Sequence, residues 1–203
     1  MELKSVFKER RSVNHFDANK VLDKEILKEI IDLAILAPSA FNLQPWRIIA
    51  VESDKAKERL SKVSNMQPKI KEAPVTLMLI GDKKSYRDEN IIWKKLEETT
   101  NKEIMENAKK AANFLYGTSL ERQLKFAESN TGLLAMSIMY AAKELGVDSH
   151  PMSGIDFDGI KCEFKLSEDE EPVMLIALGY FDESKTLYPR GYRKNYDEIV
   201  EEI

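Results

Sequence analysis

Apolar residues recur along this chain at two spacings, one helical and one strand-like. Leu3, Val6, Phe7 and Arg10 share one side of a short first helix expected from Glu2 to Glu9. Asp23 is a good N-cap for the next helix. Its apolar stripe is Ile26, Leu27, Ile30, Ile31, Ala34 and Ile35, and Pro38 is expected to end it. Arg47 to Val51 reads as a strand, followed by a charged helix over Asp54–Val63. Val75-Thr76-Leu77-Met78-Leu79-Ile80 reads as a buried strand opened by Pro74 and closed by Gly81-Asp82, and Pro172–Tyr180 as another. Thr118–Leu145 is a long helix stopped by Gly146. Its second half, Leu133–Ala142, is apolar almost all round, which predicts burial on every side and, in a chain this small, a second subunit.

Residues 87–117 are highly charged with weak periodicity and read as a helical lid. The tail, 181–203, has no core of its own. No repeat, low-complexity tract or linker divides the chain, so a single domain over 1–203 is expected. Helices alternate with strands that are apolar on both faces, which predicts an α/β or α+β sandwich. Parallel and mixed strand pairing both remain open.

Composition narrows the chemistry. Of 203 residues, 43% are hydrophobic and 33% charged, enough for a real core. The net charge of −4 offers no basic stripe for nucleic acid. Met1–Ser5 carries no secretory apolar run. The Leu133–Ala142 stretch, interrupted by Ser137, is too short to span a membrane. A single cysteine, Cys162, excludes an internal disulfide and fits a reducing cytoplasm; it is expected to be buried and inert on a helix. With two histidines, His15 and His150, the chain has no metal-ligand spacing, no P-loop and no nucleophile elbow. An enzyme with this inventory leaves the hard chemistry to a cofactor.

Two polar segments flank the Asp23 helix. Arg10-Arg11-Ser12-Val13-Asn14 could hold a phosphate through guanidinium forks and a hydroxyl, or could simply complement a helix end. Pro38-Ser39-Ala40-Phe41-Asn42-Leu43-Gln44-Pro45-Trp46 bunches three polar side chains between two prolines, and Trp46 reads as core. Met66-Gln67-Pro68-Lys69 precedes a buried strand. Ser149-His150-Pro151-Met152-Ser153-Gly154-Ile155 follows the long helix with a Pro- and Gly-stiffened turn. An isolated histidine there, His150, reads as structural.

Taken together these segments resemble the FMN-dependent nitroreductase family, which carries an Arg-x-Ser segment followed by Pro-Ser-x-x-Asn-x-Gln-Pro-Trp. The resemblance implies an α+β fold, a mixed sheet flanked by helices in three layers, in an intertwined homodimer with FMN at the subunit interface. It implies FMN contacts from Arg10, Arg11, Ser12 and Asn14, and from Pro38, Ser39, Ala40 and Asn42, with Ser39 and Asn42 reaching the partner's flavin. Lys69 would lie at the pyrimidine edge, with Gln67 either beside it or in a solvated loop. Pro151, Met152, Ser153 and Gly154 would lie on one ring face, a backbone N–H of Ser153 or Gly154 pointing at N5. In the tail Arg193 matches the family's phosphate-binding arginine. Gly191 stands where a basic residue is usual, so either Arg190 or Lys194 would substitute or that contact would be missing. Many relatives carry lysine where this chain has Asn14, which implies a lower flavin reduction potential here.

The implied activity is hydride transfer from NADH or NADPH through flavin N5, with no protein catalytic residue and no metal. Acceptors would be nitroaromatics, quinones or similar small molecules, by a ping-pong mechanism in the cytoplasm. The tail would wrap the partner. Rival readings are a flavin store or sensor without turnover, or a branch performing dehalogenation, enone reduction or flavin breakdown.

Overall fold

The computed structural model describes residues 3–203. Met1 and Glu2, where the first expected helix begins, lie outside the described residues. Eight helices and four strands follow: α1 (Leu3–Glu9), α2 (Lys24–Ala34), β1 (Trp46–Val51), α3 (Asp54–Lys62), α4 (Pro68–Glu72), β2 (Val75–Asp82), α5 (Ile91–Thr99), α6 (Lys102–Tyr116), α7 (Leu120–Glu144), β3 (Asp148–Met152), α8 (Phe157–Glu163) and β4 (Glu170–Gly179). Single 3-10 turns occupy Ala40–Asn42 and Tyr196–Glu198.

The strands run in the order β1-β2-β4-β3. Each neighbouring pair is antiparallel, and among the described residues the one parallel link is an isolated bridge between Ser12 and Ser149. The α+β class holds, but the mixed sheet is corrected: neither the parallel nor the mixed pairing expected from the sequence joins the named strands, whose pairs are all antiparallel. Side chains alternate across the sheet. Leu77, Leu79, Ile176 and Leu178 therefore meet α2 and α7 on one face, through Ile30, Ala34, Leu134 and Ile138. Met78, Ile80, Leu175 and Ala177 face Leu60, Ile70 and Ile160 of α3, α4 and α8 on the other. Each fully buried Leu or Ile contributes about 1.5–3 kcal/mol of transfer free energy to these layers. At Gly81 a Cβ would stand 3.0 Å from the Ala127 Cβ and 3.1 Å from its carbonyl oxygen, so glycine lets α7 lie directly on β2. A third cluster, around Trp93 and Phe126, joins α5 and α6 to the start of α7.

Local signals account for the helix ends. The Asp23 carboxylate accepts from the Glu25 N–H at 2.7 Å. α2 stops at Ala34, before Pro38, through turns closed by Ile35, Leu36 and Ala37 N–H groups. At the end of α7, Gly146 has φ +74° and donates to the Lys143 carbonyl, while Val147 donates to Ala142. That is a Schellman cap, which needs glycine at the left-handed position.

Three expectations change. Within one chain α7 is not buried all round: Leu133 is 49% exposed, and Met136, Ser137 and Tyr140 are partly open. Its apolar pattern exceeds what this chain covers. Cys162 is exposed on α8 instead of buried, because the core-facing residue of that short helix is Ile160. Trp46 is only partly buried at the core margin, and Trp93 is the fully buried tryptophan. Residues 87–117 are largely helical as expected. The tail beyond Phe181 is almost entirely exposed.

Candidate functional site

The segment after α1 cannot stay helical. Val13 donates its N–H to the Ser149 carbonyl at 3.2 Å, and Phe16 bridges to Phe181. Residues 10–14 thus run extended beside β3, about 13 Å at 3.3 Å per residue. Val13 and Phe16 are buried, whereas Ser12 is exposed and Asn14 half-buried.

At one end of this segment the tail returns. Arg190 Nη2 donates to the carbonyls of Lys8 and Arg10 at 2.7 and 2.8 Å. Arg11 donates to the Tyr188 carbonyl. Burial, then Arg190, Arg193 and Arg11, push the Arg10 guanidinium below its ordinary value, while Tyr140 opposes them. Among the described residues none of these four arginines forms an ion pair. Like charges gathered this way disfavour one another unless an anion lies between them, and guanidinium forks match phosphate oxygens.

At the other end the 13–14 backbone meets β3 and α4. The His150 Nδ1 lies 2.7 Å from the Val13 carbonyl oxygen. Gln67 Nε2 and Asn65 Nδ2 both donate to the Gly154 carbonyl, at 3.1 and 2.8 Å. Lys69 sits close enough to His150 to help lower its pKa, after burial, which acts most. A Cβ on Gly154 would meet no atom within 4 Å. Among the described residues nothing fills the space beside Gly154, which is open to a flat group.

The structure therefore brings Arg10, Arg11, Arg190 and Arg193 together at one end, and links Gln67 to Gly154 and Lys69 to His150 at the other; Ser12, Asn14, Pro151 and Ser153 lie on the chain segments between these groups. Met152 needs a correction. Its side chain is 4% exposed in the core beneath β3 and β4, so only its backbone can face this corner. Between the two tail candidates, Arg190 contacts the Arg10 backbone and Lys194 is simply exposed.

Pro38, Ser39, Ala40 and Asn42 are held elsewhere. Ala40 donates its N–H to Asn130 Oδ1 at 2.8 Å, and Asn130 Nδ2 donates to the Phe126 carbonyl at 2.6 Å. The Ser39 hydroxyl accepts from the Gln44 N–H at 2.9 Å. Phe41, Asn42 and Gln44 have φ of 53°, 55° and 48°, in the left-handed region that side chains resist. Asn130 and Tyr140, which mark the two places on α7, are ten residues or about 15 Å apart along the helix.

Sequence reading missed Asn65 and Asn130. Asn65 sits at φ 52° in a turn, a conformation asparagine favours. Asn130 is an amide on the buried side of α7, an exception to the pattern that could have marked it.

The nitroreductase family model matches residues 7–180. The chain belongs to the nitroreductase family. It is thereby an oxidoreductase. The Bacillus subtilis protein MhqN, named as an NAD(P)H nitroreductase, is 34% identical over 204 residues, 98% of each chain. The crystal structure of a Bacillus subtilis protein named nitroreductase ydfN superposes with a TM-score of 0.92 at 32% identity, over 100% of this chain and 99% of that one. A similar structure from Exiguobacterium sibiricum 255-15, named a nitroreductase in complex with FMN, gives 0.86 at 26% identity over 99% and 97%. Among its described residues this nitroreductase-family chain has no cluster of metal-ligating side chains and no helix long and apolar enough to cross a membrane.

Proposed function

We propose that this chain is an FMN-dependent NAD(P)H oxidoreductase that acts as a homodimer in the cytoplasm. The observation that carries the reading is the convergence of Arg10, Arg11, Arg190 and Arg193 at one end of an extended segment whose other end meets Gln67, Lys69 and Gly154. The residues fit the cofactor: guanidinium groups for its phosphate, amide and ammonium donors for its pyrimidine edge, and open space at Gly154 for its ring. When bound, FMN supplies a two-electron store that accepts hydride from NADH or NADPH and later reduces an acceptor in the same slot.

The chain's own groups orient and tune. Ser12 offers a hydroxyl toward the phosphate end. Ser153 and Gly154 present backbone N–H groups beside the open space. No side chain has to act as acid or base for hydride transfer, which matches a site rich in cations and amides.

The 38–44 loop completes the partner's site. Support comes from its distance from the arginine corner, and from the apolar surface left open around Leu3, Phe7, Leu33 and Leu133, which a second copy would cover. The exposed tail, with Tyr188, Tyr192, Ile199 and Val200 in the open, fits a segment that wraps the partner. α5 and α6 serve as the lid over the acceptor slot, whose substrates are nitroaromatics, quinones or similar small molecules in a ping-pong cycle.

The test is the visible spectrum of desalted protein after incubation with FMN, before and after anaerobic NADH or NADPH. Bands at roughly 370 and 450 nm that bleach with either nucleotide are expected. Bound flavin that never bleaches would favour a store or sensor, and no retained flavin would overturn the assignment.

A further inference from the structure

His150 reads from sequence as structural, and its surroundings say more. It is the middle residue of β3, opposite Ala177 of β4, and so lies on the sheet face carrying Leu175 and Met152, away from α7. A carbonyl can only accept, so the Nδ1 facing Val13 at 2.7 Å carries a hydrogen. In the neutral ring the lone pair is then on Nε2.

The groups around it are few. Lys69 on α4 is the charge acting on the ring. The N-terminal segment offers the Val13 carbonyl, while Arg11 is turned toward Tyr188. Ala177 on β4 is uncharged. Asp148, two positions along β3, is engaged by the Phe181 N–H at 3.0 Å and by Lys143 of α7 at 3.9 Å. Glu72 of α4 accepts from the Phe16 N–H. Burial, and then Lys69, hold the imidazole below its ordinary pKa, so it is neutral in the cofactor-free chain at neutral pH.

Building on the FMN assignment, we infer that His150 is a positioning residue that binds a proton when the cofactor is reduced, its ring anchored by the Val13 carbonyl. Hydride transfer delivers two electrons and one proton to the cofactor, and the oxidised nicotinamide leaves. The cofactor then carries one more negative charge on its pyrimidine side. A solvent proton adds to the Nε2 lone pair and forms the imidazolium, so two electrons and two protons are taken up in all. Negative charge nearby favours the imidazolium, and by reciprocity the imidazolium favours reduction to the same extent. Asn14 carries no charge, which leaves Lys69 and His150 to compensate at this edge.

The experiment is the reduction potential of the FMN-loaded protein against pH, for wild type and His150→Gln, with an NMR titration of His150 in both oxidation states. The glutamine amide can still donate to the Val13 carbonyl but cannot bind a proton. Between the two His150 pKa values the wild-type potential is expected to fall about twice as steeply with pH as the variant's, because two protons accompany two electrons instead of one. The His150 titration is expected to move to higher pH on reduction. Equal slopes with FMN bound, or a His150 titration unmoved by reduction, overturn this inference alone. Wild-type protein that retains no FMN overturns the flavin assignment and this inference together. Should His150→Gln not fold, the wild-type NMR titration decides by itself.

Discussion

The two polar segments flanking α2 are made of similar residues and end up in opposite situations. Residues 10–14 are paired to β3 through the backbone, and their arginines meet others brought from the tail, within one chain. Residues 38–44 are held just as firmly, by Asn130 and by their own turns, yet they lie about 15 Å further along α7 with Asn42 exposed. One segment finds its companions locally. The other is anchored to α7 away from the arginines, which fits the proposed contribution to a neighbouring subunit's site.

The sharpest way to break this contrast is to place the two defects on different chains. Arg10→Ala alone should weaken FMN binding by about 1.5–3 kcal/mol, the worth of a charge-assisted hydrogen bond, or roughly 10–150-fold. Ser39→Ala should also weaken it. In a dimer with Arg10→Ala in one protomer and Ser39→Ala in its partner, one of the two sites collects both defects and the other none. Calorimetric titration should then show half the sites with wild-type affinity. If each loop served its own chain, no site would be intact.

A smaller effect is expected where the loop is anchored. Asn130→Ala leaves the Ala40 N–H without its acceptor and should cost about 1–3 kcal/mol of stability, read as a lower denaturation midpoint. FMN affinity should fall with it, because Ser39 and Asn42 lose their fixed geometry. Unchanged stability would show that the loop holds its shape without α7.

At the other segment, Asn14→Lys should raise the flavin reduction potential, at a rate of about 30 mV per 1.4 kcal/mol for a two-electron couple. No change, or a fall, would place residue 14 away from the ring.

The smallest effect concerns cofactor-free protein and pH. The folded His150 pKa lies below its ordinary value of 6.5, so between the two values the unfolded chain binds more protons. Stability therefore rises with pH across that window and is lost as pH falls below about 6.5. Denaturation midpoints of wild type and His150→Gln should converge at neutral pH and separate on acidification, with the wild type less stable. Parallel profiles would count against a buried neutral imidazole.

Much of this was legible in the sequence because local rules decided it. The stripe of α2, the cap at Asp23, the Gly146 stop and the strands Val75–Ile80 and Pro172–Tyr180 are all set within a few residues of themselves. β3 was harder to see: Asp148-Ser149-His150-Pro151-Met152 has a proline and little apolar character, and it forms because β4 is beside it. The short α4 was hidden by its Pro68 start and two lysines. The burial of the Met152 side chain could not be read, because alternation within a strand unseen in sequence decides which side chain enters the core. The openness of α7 around Leu133 and Tyr140 was illegible for another reason, since an apolar helix reads the same whether its own chain or a second subunit would cover it. The Arg190 contact with the Arg10 carbonyl could not be foreseen either, because it joins positions 180 residues apart.

That last contact sets an order of events during synthesis. Arg10 leaves the ribosome early, and Arg190 is added 180 residues later, on the order of ten to forty seconds at typical bacterial or eukaryotic elongation rates. All four strands are already made by then. A chain shortened to end before residue 190 would keep all four strands while its arginine corner lacked Arg190 and Arg193, so that corner can be assembled only after the last strand of the sheet has been made.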